Sequence, residues 1–297
     1  MITAVLGPGG VGGLLAAVVA RAGNPVVVLA SEATARAIAR DGLNLESKRF
    51  GDFHVDVQTA TQLSEPIDVC LVAVKATHLS DAVARVPAEA LGEGLIVPCL
   101  NGLEHVDFLR SVYPPSSVAA ATIRVEAFRV GPGVIRQASP FVMIELAAPW
   151  GNRDRLEPVA EMLKSAGFDV RVRDDELAML WDKFVLLEPF ALLTTHEHAN
   201  AGVIRTKRRD DAFALISEAV AVAKADGVVI DHDALLKTFQ SLPDSMESSM
   251  QRDRAAGRPL ELDALGGALL RRAHRAGIDV PVTARLVEEI RRSDART

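Results

Sequence analysis

The stretch "ITAVLGPGGVGG" at residues 2–13 constrains this chain more than any other. A β-branched apolar run enters a glycine-rich turn and leaves as an Ala/Leu-rich helix, after which "VVVLA" reads as a second strand. Gly7-x-Gly9-x-x-Gly12 sits at the join. The first glycine permits the tight turn, the second lets backbone approach a pyrophosphate, and the third lets helix and strand pack closely. The helix start then turns its free N–H groups to the phosphates. Strand, turn, helix and strand arrive in this order within thirty residues. The segment therefore reads as a dinucleotide-binding unit, with Gly7, Pro8, Gly9, Gly10, Val11 and Gly12 as the cofactor cradle.

The tip of the second strand selects the dinucleotide: an acid grips the ribose 2′-OH of NAD, whereas an arginine accepts the 2′-phosphate of NADP. Here the tip is Ser31, followed by Glu32, Arg36 and Arg40. Ser31 can donate to a phosphate and Arg36 can turn toward it, while Glu32 opposes it. The three charges also read as a solvated helix surface. The tip therefore leaves NADP and NAD both open.

Further along, "DVCLVAVK", "LIVPCLNG", "VAAATIRVEAF" and "FVMIELAAP" read as strands. Apolar strands separated by helices indicate a parallel sheet covered on both faces. "VGPGVIRQASPFVMIEL" has Gly-Pro-Gly between extended pieces and predicts a hairpin-like extension; "RLEPVAEMLKSAGFDVRV" predicts a helix stopped at Gly167 and one more strand. Beyond about residue 174 strand signals vanish and helical spacing takes over. The fold class is α/β, with a Rossmann-type doubly wound domain over 1–173 and an all-helical domain, expected to carry substrate binding and catalysis, over 174–297.

With 297 residues there is enough chain for two such domains. A net charge of −6 with mixed signs argues against nucleic acid as a partner. The longest apolar run is broken by Arg21 and Gly23-Asn24-Pro25, too early to span a bilayer, so no membrane is expected. Cys70 and Cys99 each lie in an apolar strand, which fits a reducing cytoplasm rather than a disulfide framework. The N-terminus shows no signal-peptide pattern. "FALISEAVAVAKA" suits either the domain interior or a homodimer face.

"AMLWDKFVLL" sets one cation, Lys183, in an apolar run. Its neighbours at helical spacing are Met179, Leu180, Leu186 and Leu187, none of them acidic. The ammonium must snorkel to water, find a distant partner, or lose proton affinity.

The chain resembles the ketopantoate reductase family along nearly its whole length. The likeness is carried by "LGPGGVGG", "VAVKATH", "CLNG", "WDKF", "SSMQRDRAAGRPLELDALGG" and "AGIDVPVTARL". The resemblance implies a Rossmann domain followed by a helical domain, and NADPH-dependent reduction of a small 2-oxo acid to the 2-hydroxy acid. It makes Lys183 the donor that protonates the carbonyl oxygen and Glu261 a carboxylate that binds the substrate hydroxyl and polarises the site. Asn101 then stands near nicotinamide and substrate, Ser249 binds the substrate carboxylate, and Lys75 lies close to the cofactor; Glu261 also counts among the cofactor contacts. The family's asparagines one and two turns after the lysine are here Leu187 and Ala191, the asparagine before Gly202 is Ala201, and the expected strand-tip arginine is Ser31. A site that exchanges amides for apolar side chains suits a less polar substrate. A reductase of another carbonyl or an imine on the same scaffold is therefore the alternative, and a non-catalytic dinucleotide sensor is the remaining one.

Plain readings stand beside these. Glu261 could pair at the surface with Arg258, Ser249 could cap the helix it begins, and Asn101-Gly102 could be only a turn. His196 and His198 flank Glu197, but positions two apart diverge on a helix and no second ligand cluster follows, so a surface loop without metal is expected. Glu188 lies off the face of Lys183 and, with Pro189, is read as a kink with no assigned role.

Overall fold

The computed structural model describes residues 1–148 and 153–294. Its strands are β1 Thr3–Leu6, β2 Val26–Leu29, β3 Leu43–Ser47, β4 Phe53–Val55, β5 Gln58–Ala60 and β6 Val69–Val72, then β7 Leu95–Pro98, β8 Ala120–Arg124, β9 Ala127–Gly131, β10 Val134–Gln137, β11 Met143–Ala147 and β12 Asp169–Arg173. The helices of the first part are α1 Gly10–Arg21, α2 Glu32–Asp41, α3 Leu79–Ala82, α4 Ala88–Leu91, α5 His105–Val112 and α6 Arg153–Ser165. After α7 Glu176–Glu197 come α8 Ala201–Lys207, α9 Arg209–Ala225, α10 His232–Gln240, α11 Ser249–Ala255, α12 Ala268–Ala276 and α13 Pro281–Asp294. A π-helical turn, Asp263–Gly267, runs directly into α12.

Five strands form a wholly parallel sheet in the order β5-β2-β1-β6-β7. This is the Rossmann-type arrangement that the apolar strands imply. The later strands do not extend it. "VAAATIRVEAF" splits into β8 and β9, which belong to different sheets. β8 pairs antiparallel with β11, and β12 adds parallel to β11. β9 and β10 form the hairpin that the Gly-Pro-Gly stretch predicts, and β3 and β4 complete that sheet in the order β4-β3-β10-β9. The Pro149 end of the predicted strand "FVMIELAAP" and the last three residues of the predicted second domain lie outside the described residues.

Helix α1 explains how the sheets are layered. Gly12 through Val19 are all buried, so the helix is apolar on every side and needs cover on every side. The parallel sheet supplies one layer, through β1 and β2; the hairpin sheet supplies the other, through β3, β4, β9 and β10. Gly13 lies against Ile135 of β10, and Gly10 lies under the Ala127 carbonyl of β9. Leu14, Leu15, Val18 and Val19 are completely buried, each contributing about 1.5–3 kcal/mol relative to an exposed side chain.

In the three-stranded sheet Glu145 is 3% exposed and meets Arg124 Nη1 at 2.6 Å and Arg173 Nη1 at 2.9 Å. Burial alone would raise its pKa, but the hydrogen bonds and charges of the two arginines outweigh it and hold the carboxyl below the usual range. The acid is thus a cross-strand clamp.

The chain divides into two compact units: 1–100 with 105–176, and 101–104 with 177–297. In the second, no strand occurs among the described residues. α9 is its centre, in contact with α8, α10, α12 and α13. Ala212, Leu215, Ile216, Ala219, Val222 and Ala223 are buried there, so the apolar face of "FALISEAVAVAKA" packs within the unit. Glu218 of α9 accepts the backbone N–H groups of Val282 and Thr283 at 2.9 Å, capping α13 from a distance.

One local reading changes. α7 continues through Pro189 and ends at Glu197, so His196 and Glu197 are helical rather than a surface loop. His196 Nδ1 meets Glu197 at 2.7 Å and Nε2 meets Glu289 at 2.8 Å. Glu188, read as a kink residue, is fully buried in the helix. No described helix is long and apolar enough to cross a membrane.

Candidate active site

The glycine turn joins β1 to α1. Gly7 has φ +90°, a region open to glycine, and a Cβ on Gly12 would lie 2.1 Å from the Gly7 carbonyl. Gly9 differs, since nothing lies within 4 Å of where its Cβ would stand. α1 begins without a side-chain cap, which leaves its first-turn N–H groups available. An uncapped helix start beneath an open glycine is a donor set that fits a pyrophosphate, so the residues present suit a dinucleotide.

At the tip of β2, Ser31 is the N-cap of α2, yet its hydroxyl makes no bond to the helix backbone. It donates instead to Thr34 Oγ1 at 3.2 Å. Arg36 pairs with Glu32 at 3.0 Å, both about three-quarters exposed. Lys75 is half-buried just after β6, where it precedes a single 3₁₀ turn, Ala76–His78.

Asn101, Lys183 and Glu261 come together in the second unit. Lys183 Nζ donates to Asn101 Oδ1 at 2.8 Å, and Asn101 Nδ2 donates to Glu261 Oε2 at 3.2 Å. A cation, an amide dipole and a carboxylate are thus joined head to tail, each bond charge-assisted. The amide uses its oxygen toward the lysine and its nitrogen toward the glutamate, which fixes its orientation. Lys183 therefore has a polar partner 82 residues away in sequence. Glu261 is 6% exposed, and Arg258 pairs with Asp253 at 2.9 Å. Gly102 supplies the turn after Asn101 at φ +106°, where a Cβ would lie 2.7 Å from the Ala264 carbonyl.

Ser249 does not cap α11. Ser248 does: its buried Oγ accepts Gln251 N at 3.1 Å and lies 2.7 Å from Thr194 Oγ1. The spacing Ser248-x-x-Gln251 is a capping-box pattern and was the available signal. Ser249 is left as the first helical residue, exposed. Leu187, one turn after Lys183, is half-buried, whereas Ala191 and Ala201 are buried.

The N-terminal part, residues 3–147, matches the family described as Ketopantoate reductase PanE/ApbA. Residues 175–294 match that family's C-terminal part. The chain belongs to the ketopantoate reductase family. It is an oxidoreductase of the CH–OH/C=O couple. Among its relatives, the 2-dehydropantoate 2-reductase of Mycobacterium tuberculosis (strain CDC 1551 / Oshkosh) is 30% identical over 295 residues, covering 96% of this chain and 95% of that one. The solved PanE/ApbA family ketopantoate reductase of Ralstonia eutropha JMP134 is 28% identical, with TM-score 0.89 over 100% of this chain and 99% of that one. A D-mandelate dehydrogenase solved with NADH and anilino(oxo)acetate shares the fold at TM-score 0.93 and 18% identity, over 100% and 99% of the two chains.

Proposed function

We propose that this ketopantoate reductase relative reduces a 2-oxo acid to the 2-hydroxy acid with a nicotinamide dinucleotide, and that Lys183 donates the proton. The observation that carries the reading is the Lys183–Asn101–Glu261 series, in which a half-buried ammonium is oriented by a side-chain amide. Family membership supplies the reaction class. The first unit holds the cofactor, with Gly7 to Gly12 at the pyrophosphate, Lys75 beside it, and the 2′-phosphate of NADPH at Ser31 and Arg36. The exposed Glu32–Arg36 pair is worth at most about 1 kcal/mol, so Arg36 turns from it at little cost. When bound, the reduced nicotinamide supplies a hydride.

The remaining work falls to the protein. Lys183 Nζ holds the proton that neutralises the carbonyl oxygen as it becomes a hydroxyl. Asn101 fixes the direction of that N–H, and Glu261 supplies a carboxylate at the far end of the series. Ser249, exposed at the first turn of α11, receives the substrate carboxylate, and Glu261 takes the hydroxyl of the product.

The side chain of the substrate is the second question. Leu187 occupies the helical position next to Lys183 on the same face, where the family pattern has an amide. A half-buried leucine there favours an apolar 2-oxo acid over ketopantoate. The test is a panel of ketopantoate, 2-oxoisovalerate, phenylglyoxylate and a cyclic imine, each with NADPH and NADH, on the wild type and Lys183→Ala. We expect turnover of a 2-oxo acid, a higher kcat/KM with NADPH, and a loss of about 10²–10⁴-fold in kcat on removing the lysine. Undiminished turnover in Lys183→Ala would remove the proton donor. Oxidation of cofactor by the imine alone would replace the substrate class.

A further inference from the structure

Arg271 of α12 makes a fork between two acids. Its Nε and Nη2 donate to Glu104, the shortest bond 2.6 Å, while Nη1 and Nη2 donate to Asp263 at 2.8 and 3.1 Å. Nη2 also reaches the Asp263 carbonyl at 3.2 Å. Glu104 stands three residues after Asn101, and Asp263 two residues after Glu261. One guanidinium thus ties the two chain segments that deliver the amide and the carboxylate of the site.

We propose that Arg271 is a positioning residue for reduction: it sets the spacing between the Asn101 turn and the Glu261 turn, and through them the direction of Lys183 Nζ. The inference rests on the catalytic reading above. Local packing is built around the fork. Gly102 brings its segment against the Ala264 carbonyl, inside the π-helical turn that begins at Asp263. A Cβ at Gly267 would run into the Asp263 carboxylate and crowd the guanidinium, so the bare glycine leaves the pair its room. Glu104 is a third exposed, Arg271 42% and Asp263 75%. Pairs this exposed add little to stability. Their value is geometric, because a planar fork fixes two carboxylates at once and a point charge does not.

The test compares Arg271→Ala, Arg271→Lys and Glu104→Gln with wild type, and repeats Arg271→Ala in an Asn101→Ala background, using the best-reduced 2-oxo acid of the panel. We expect Arg271→Ala to lower kcat roughly tenfold, the scale of a sub-ångström misplacement, with a smaller change in the KM of the oxo acid. Glu104→Gln, which takes the charge and one acceptor oxygen from one arm without a cavity, should lower kcat in the same direction. Arg271→Lys should stay impaired, and Arg271→Ala should cost a clearly smaller factor once Asn101 is gone, the remainder acting through Glu261. A merely structural residue would cost the same factor in both backgrounds, and that result overturns the proposal. So does an Arg271→Ala or Arg271→Lys enzyme within twofold of wild type while Asn101→Ala and Lys183→Ala are impaired. If those two variants are themselves unimpaired, the catalytic reading has failed, and this inference with it.

Discussion

Glu188 is a carboxyl where none is comfortable. It is fully buried in α7, neither oxygen has a hydrogen-bond partner among the described residues, and Glu218 lies near enough to oppose its charge. Burial first, and Glu218 second, push its pKa up to about 8. At neutral pH the folded protein keeps this proton, while the unfolded chain gives it up near the ordinary 4.5. Stability from this group is therefore full below pH 4.5, falls as pH rises, and is lost above about 8; the whole span corresponds to roughly 5 kcal/mol at most. Glu188→Leu should gain about 1–3 kcal/mol in urea unfolding at pH 8 and much less at pH 5. An unchanged pH dependence of the difference would show that Glu188 is not the titrating group. Its burial was not legible beforehand, because Glu-Pro inside a helical pattern reads as a kink without saying which way the carboxyl faces, and only the packing of α7 with its neighbours decides that.

Among the elements, the β1–turn–α1 unit separates two uses of glycine. Gly12 serves packing, since any Cβ there collides with the Gly7 carbonyl; Gly9 has open space around it. Gly12→Ala should therefore destabilise the fold by about 1–3 kcal/mol. Gly9→Ala should leave the melting temperature nearly unchanged but weaken NADPH binding in a fluorescence titration, because on the proposed reading the methyl group stands where the phosphates approach. Equal effects of the two substitutions on stability would contradict this division. The pattern G-x-G-x-x-G announced this unit from sequence, and helical spacing announced α7, α9, α11, α12 and α13. β3, β4 and β5 gave no such signal: "LNLES", "FHV" and "QTA" are short and partly polar, and they gain strand character from partners distant in sequence. The same limit hid the division into three sheets, since period and hydropathy do not say which strand is a neighbour.

For the whole molecule, the two-part plan was readable because strand-rich sequence gives way to helical sequence near residue 174. The grouping of 101–104 with the second unit was not, since only tertiary contacts reveal it. Each unit carries its own buried core, and the proposed pyrophosphate and 2′-phosphate contacts all lie in the first. A ligand held by one unit adds about 2.7 kcal/mol to it at a hundred times Kd. Calorimetry with saturating NADPH should accordingly raise one part of the endotherm and leave the other behind. A rigid shift of one symmetric peak would mean that the units melt as one.

Four residues, 101–104, travel in the gene with the first unit and side with the second. Recombination that swapped everything after residue 174 for a relative's counterpart would strand Asn101 and Glu104 among foreign helices. On the proposed reading, a working chimera has to import that short loop as well, so the proposed Lys183–Asn101–Glu261 site is written in two places.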